Sequence, residues 1–410
     1  MPLPADIDLT NPDHFDQGPP HEWFTWLRAN DPVYWQDEED GPGFWSITKY
    51  QDLKHVSRHP ELFSSWRGGT NIFELEEDDL TGVRLLMINM DPPRHAKYRR
   101  IVSKGFTPKR ISLLEDHVRA LARRIVDRIA DKGECEFVSE VASQVPMATI
   151  CEMLGVPEAD HQLVYDLSNR LIGFDDPDFQ TSMDDGGEAA AEMYAYAEQL
   201  GAERSKAPRD DLTSILLSAD VDGEKLTQDE FDAFFLLLAI AGNETTRTVT
   251  AQGMRLLSEH PDQRRAITDD PSLIGPAVEE ILRYAPAVIS FRRTAMADVE
   301  IRGKQIRNGD KVVMWYPGAN RDEEAFDDPQ KFDVSRNPND HHAFGIGEHF
   351  CLGASLARLQ LRTIFDELLT RLPDIEVDGE VKYLRSNFID GIKEMRVRFT
   401  PETQRRKAAS

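Results

Sequence analysis

The chain has 410 residues, 40% of them hydrophobic, with 48 Lys or Arg against 73 Asp or Glu and a formal net charge of −25. That apolar content supplies a large core, while so acidic a chain repels nucleic acid and anionic membrane outside a local basic patch. Three cysteines without a CxxC pair exclude the common structural zinc patterns.

The opening stretch MPLPADIDLTNPDHF has neither a basic start nor an apolar core, so no signal peptide is expected and a cytoplasmic location follows. Helical periodicity predicts a helix over Pro20–Ala29. Two short strands, Val33–Gln36 and Phe44–Thr48, flank the turn-rich EEDGPG as a hairpin. Further helices are predicted over Tyr50–Arg58, Arg94–Gly105, Ile111–Asp131, Val141–Leu154, Ala159–Ile172, Gly187–Lys206 and Asp211–Ser218. The acidic runs Glu74–Asp79 and Asp175–Asp185 read as mobile surface loops. Cys135 and Cys151 have no histidine company and read as packing residues.

A long helix follows from Thr227 to Ser258. Thr227 with Glu230 three residues later forms a capping box, and Pro261 ends the run. At about 1.5 Å per residue it spans roughly 48 Å. Its apolar run, Phe234 to Gly242, is about half a membrane span, so no membrane anchor is expected. Mid-helix, the polar AGNETT interrupts the apolar interior. The Thr245 hydroxyl can bond the Ala241 carbonyl four residues back. Buried polar groups without partners cost about 1–3 kcal/mol each. The interruption therefore points to a proton-delivery site beside a bound small molecule, the alternative being a solvent-facing bend.

Beyond it, helices are predicted at Asp262–Asp269, Pro271–Tyr284 and Ala354–Arg371. Strands are predicted at Val288–Thr294, Val299–Ile301, Lys311–Met314 and Met395–Phe399. No strand–helix alternation appears, which disfavours a doubly wound parallel sheet. Residues 1–410 read as one domain, mainly α with a small β region, frayed at its first residues and along the polar tail 404–410. Glu280 and Arg283 can pair on one helix face, and Arg336 offers a second guanidinium to the same carboxylate; this trio reads as a scaffold. In HAFGIGEHFCLG, Cys351 lies in a glycine-rich loop ahead of a helix, where a thiol packs, binds a ligand or acts as a nucleophile.

Four elements stand in order: AGNETT on the long helix, EILR on a later helix, FDVSR in a loop, and FGIGEHFCLG before the last long helix. Together they resemble a cytochrome P450, over nearly the whole chain. The resemblance implies a triangular, prism-like fold with haem b between the long central helix and the Cys-loop helix.

Carried over residue by residue, Cys351 resembles the thiolate ligand of the haem iron. Its neighbouring amides and the following helix start would favour thiolate over thiol. Phe344, Gly345 and Gly353 match the loop that lets the backbone pass close to the macrocycle. His349, His95 and Arg99 match contacts to the haem propionates, as does Arg293, with Arg292 its alternative. Glu244 and Thr245 resemble the acid–alcohol pair that relays protons, with Ala241 beside it.

The implied activity is hydroxylation of a hydrophobic small molecule at an unactivated carbon, with O2 as cosubstrate. WQDEEDGPGFW, ELFSS and AGNETTR are similar to actinobacterial members acting on sterols, terpenoids and methyl-branched lipids. Electrons would come from a ferredoxin and its NAD(P)H-dependent reductase, docking near Lys97, Arg99, Arg100 and Lys104; the chain is expected to be a monomer. Expected substrate contacts are Trp66, Ile72, Phe73, Leu86, Met87, Ile172, Phe174, Ile240, Val288, Ile289, Phe291, Phe388 and Ile389. Two rival readings are a cysteine hydrolase using Cys351 and His349, and a non-catalytic haem-thiolate protein that binds or senses ligands.

Overall fold

The computed structural model describes residues 7–39, 41–179, 185–220, 223 and 225–409, apart from the side chains of 406, 408 and 409. The polar stretch of the long helix, Gln228–Glu259, falls at the junction of two apolar clusters. Phe231, Phe234, Phe235 and Ala239 belong to one, packed with helices Arg94–Ser103, Gln144–Leu154, His161–Ile172 and Asp185–Lys206. Val249, Met254, Leu256 and Leu257 belong to the other, with helices Pro108–Ile129, Ile274–Tyr284 and Ala354–Arg371. The capping box at Thr227 is present, with Glu230 answering from the third position.

Ten strands among the described residues complete the architecture: β1 (Val33–Gln36), β2 (Phe44–Ile47), β3 (Phe63–Ser64), β4 (Glu134–Glu136), β5 (Ser290–Ala295), β6 (Val299–Ile301), β7 (Lys304–Ile306), β8 (Lys311–Trp315), β9 (Glu376–Tyr383) and β10 (Ile392–Arg398). The largest sheet runs β1-β2-β8-β5-β3, and only its β2–β8 pairing is parallel. The predicted hairpin is β1–β2, registered Val33 to Ile47. No described helix is long and apolar enough to cross a membrane.

Several expectations are corrected. The acidic run at Glu74–Asp79 does not float. Glu77–Val83 is a short helix, and Glu74 pairs with the buried Arg292 (3.3 Å) and Lys311 (3.1 Å). The second acidic run is fixed where it is described. Asp176 is buried, held by Lys393 (2.8 Å) and the Arg385 amide (2.9 Å), while residues 180–184 lie outside the described residues. The tail expected to fray forms a helix, Glu402–Ala409, tied down by the Arg371–Glu402 ion pair (2.8 Å). Val141–Leu154 divides into a π-helical turn, Val138–Ala142, and a helix, Gln144–Leu154. Cys135 and Cys151 are buried as expected, and burial pushes each thiol up to about 12.

Candidate active site

A cavity of about 250 Å³ lies between the long helix and the loop that carries Cys351. Ala241, Gly242, Thr245 and Val249 form one wall, at the spacing of a single helix face. The opposite wall carries Phe344, Gly345, Cys351 and Gly353. Met87, Val288 and Phe291 close the apolar flank.

The Cys loop is fixed from below. The Cys351 amide donates to the Phe344 carbonyl (2.8 Å), and Gly345 takes φ +68°, where a side chain would be strained. A Cβ on Gly353 would stand 4.0 Å from Cys351 Sγ. Burial pushes the Cys351 thiol up, against lowering by the Gly353 amide, Arg99 and Arg358. The amides expected to favour thiolate are thus present but outweighed by desolvation, and a cationic partner at sulfur is needed to hold the charge.

The loop hangs on a buried charge network. Glu280 and Arg283 are fully buried, and Arg283 donates to both carboxylate oxygens (2.8 Å each). Arg336 Nε shares the same oxygens (3.1 and 3.2 Å), and Asn339 and the Asp333 amide add two more donors (3.1 and 2.9 Å). Arg283 also donates to the Asn320 and Pro329 carbonyls (2.9 Å each). Sequence reading missed the neighbouring clamp, in which Arg358 lies over the Phe344 ring (4.4 Å) and pairs with Glu279 (2.8 Å).

Two histidines and two arginines line the cavity: His95, Arg99, Arg293 and His349. His95 and Arg99 stand four apart on helix Arg94–Ser103, and the His95 and His349 rings lie 4.2 Å apart. Burial and nearby cations lower both histidines, His95 to about 4, so each is neutral near pH 7. Among the described residues, His95 Nε2 is buried without a partner, and Arg293 is buried with only the Arg292 carbonyl accepting from it (2.8 Å). Arg292 faces the other side of β5 and reaches Glu74 and the Phe73 carbonyl (3.2 Å), which removes it as the alternative. An orphaned imidazole nitrogen, a guanidinium with no carboxylate in contact among the described residues, and a glycine-lined apolar slot fit a flat apolar group with acidic arms. Among the described residues no cluster of three His, Cys, Asp or Glu could hold a bare metal ion.

Thr245 lines the cavity, and its hydroxyl donates to the Ala241 carbonyl (3.0 Å), as its spacing predicts. Glu244 does not line it. One residue earlier on the helix places Glu244 about 100° around the axis. There it is fully buried, ion-paired with Arg247 and bonded by Thr248 Oγ1 (3.4 Å). Arg247 in turn donates to Tyr165 (3.0 Å) and Asn169 (2.7 Å). Gly242 leaves no gap in the helix face, since a Cβ there would lie 2.6 Å from Ile150.

Of the expected substrate contacts, only Met87, Val288 and Phe291 line the cavity. Trp66 is gripped between Arg84 and Arg94, Ile72 and Ile289 belong to the core around Trp315, and Phe388 backs Phe291 edge-on. Phe73 and Phe174 meet each other at 5.3 Å. Sequence reading missed Ile88, Leu237, Leu238, Ala287 and Tyr316 among the lining residues. Leu237 and Leu238 were legible as the turn before Ala241; the others depend on tertiary placement.

His349 Nε2 partners Ser65 Oγ (3.3 Å), and among the described residues no hydrogen bond joins His349 to Cys351, which leaves a cysteine–histidine hydrolase without its working pair.

The family model described as Cytochrome P450 matches residues 272–381. The steroid C26-monooxygenase of Rhodococcus jostii is 41% identical, over 96% of this chain and 85% of that protein. The methyl-branched lipid omega-hydroxylase of Mycobacterium tuberculosis is 43% identical, over 96% of this chain and 94% of its own length. Among solved structures, a Mycobacterium marinum cytochrome P450 in complex with pseudoionone matches with TM-score 0.89 and 40% identity, covering 97% of this chain and 99% of that one.

Proposed function

The chain belongs to the cytochrome P450 family, and from that premise we propose that the Cys351 sulfur would bind the iron of a haem b held in the cavity described above. The protein is a monooxygenase that hydroxylates a hydrophobic small molecule. When bound, the haem thiolate supplies activation of O2, one atom entering a substrate C–H bond while two electrons and two protons carry the other to water.

The chain's own residues bind, orient and exclude water. His95, Arg99, Arg293 and His349 would hold the acidic arms of the cofactor, answering the orphaned His95 Nε2 and the unused donors of Arg293. Gly345 and Gly353 keep the loop close to it, and the buried Glu280 network keeps the loop in place. Thr245 Oγ1 lines the cavity and holds a proton it could deliver there, lent to the Ala241 carbonyl until the site needs it. Glu244 stands behind that position and serves the cavity only when its carboxylate leaves Arg247.

Met87, Val288, Phe291 and Leu238 present apolar surface without a charged anchor, which suits a substrate held by burial. The relatives that act on steroids and methyl-branched lipids, and the neighbour that binds pseudoionone, support a sterol, terpenoid or methyl-branched lipid oxidised at a terminal methyl. Electrons would arrive from a ferredoxin and its NAD(P)H-dependent reductase. Arg100 and Lys104 are exposed on helix Arg94–Ser103 and the residue after it, and Phe350, next to Cys351, is 41% exposed, so basic and apolar surface are both available to such a partner. Arg99 is turned inward and is no part of that surface.

The observation that carries this reading is that Cys351, Ala241 and Thr245 line one cavity together with His95, Arg99, Arg293 and His349. Sterols, terpenoids and branched fatty acids, scored by the ferric spin-state shift and then by product analysis, test the substrate class. A response confined to polar or charged compounds would overturn it.

A further inference from the structure

Tyr316 follows β8, two positions beyond Met314, which pairs with Phe291. Period-two alternation puts Tyr316 on the same sheet face as Phe291 and Arg293. It is 4% exposed, lines the cavity, and meets the Phe291 ring edge-on at 6.1 Å. Its backbone amide is satisfied by the Ile289 carbonyl (3.0 Å). Its hydroxyl has no hydrogen-bond partner among the described residues, and Arg293 is the one charged group that acts on it. Arg293 is itself without a carboxylate at contact distance; Tyr316 and Asp91 are the groups that act on its charge.

A phenylalanine would pack against Phe291 as well as this ring does. A buried hydroxyl without a partner lowers stability. Here a phenol donor and a guanidinium with unused donors open into one cavity from one sheet face, and that combination receives an anionic oxygen. We propose that Tyr316 is a further cofactor-binding residue, donating its phenol hydrogen to the same haem carboxylate that Arg293 receives. The assignment rests on the haem reading given above. Burial raises the phenol above its ordinary value, so the hydroxyl keeps its hydrogen at working pH.

The test is release of haem from the holoprotein to excess apomyoglobin, for wild type and Tyr316→Phe. Losing a hydrogen bond to a charged acceptor predicts release about tenfold faster in the variant. After reconstitution with haem dimethyl ester, which lacks both charged arms, the two proteins should release it at the same rate. Equal release of ordinary haem overturns the proposal, as does a difference that survives esterification. A change confined to the substrate-induced spin shift also overturns it, because the hydroxyl would then face substrate. Should Tyr316→Phe fail to fold, 3-fluorotyrosine at 316 keeps the ring and the hydroxyl while acidifying the phenol, and an unchanged release rate is again fatal. Failure of the haem reading is distinct, since wild type would then take up no haem.

Discussion

Glu280→Gln removes one negative charge and one acceptor oxygen while keeping the shape of the side chain. Its carboxylate is fully buried and faces Arg283 at 2.8 Å and Arg336 at 3.1 Å, with Asn339 and the Asp333 amide completing its shell. The variant strands two guanidinium groups, one of them fully buried, without a counter-charge. Breaking a buried pair in this way costs about 3–5 kcal/mol. For 410 residues at about 2.1 cal/mol/K each, the unfolding entropy is roughly 0.9 kcal/mol/K, so Tm should fall by about 3–6 °C. Calorimetry of the holoprotein reads this directly. The same sample should lose haem more readily, because the network anchors the loop leading to Cys351. A Tm within about 1 °C of wild type, with unchanged haem retention, would refute the argument that this network holds the loop.

Thr245→Ala should keep consuming reductant while product falls and hydrogen peroxide rises; coupling equal to wild type would remove Thr245 from proton delivery. Arg247→Met leaves the buried Glu244 uncompensated and should cost about 3–5 kcal/mol, whereas Glu244→Gln combined with Arg247→Met should recover much of the loss by thermal unfolding. If the double variant is as unstable as the single, the pair is not what stabilises this turn. Asp390 is buried and raised to about 7, mainly by desolvation, with Arg255 and Arg321 acting against it. A raised carboxyl gives stability that is present below the unfolded pKa, near 3.9, and lost as pH climbs through 7. Asp390→Asn should therefore gain on wild type by about 2 kcal/mol more at pH 8 than at pH 5; an equal difference at both would contradict the assignment.

The order of helices was legible because amphipathic periods and caps are local. Tyr50–Arg58 and Ala354–Arg371 begin and end where the sequence places them. β9 was not, since EVDGEVKY is charged, carries Gly379 at φ +97° and draws its order from pairing with β10. The tail helix at Glu402–Ala409 has no apolar stripe to announce it and depends on the distant Arg371. In the site, fixed-spacing features carried over: the Thr245–Ala241 bond and the Glu280 trio. Rotation about the long helix did not, because Glu244 and Thr245 are neighbours in sequence yet face different surroundings. Sequence alone could not separate Arg292 from Arg293; strand alternation sends one to Glu74 and the other to the cavity. The substrate wall was least legible, since aromatic residues near the right loops were claimed by the core or by each other.

The central claim is that Cys351 binds haem iron as a thiolate. The reduced protein under carbon monoxide tests it most directly. The account predicts a strongly red-shifted Soret band in wild type that is absent in Cys351→Ser. A wild-type spectrum without that band, or a variant that keeps it, would contradict the account.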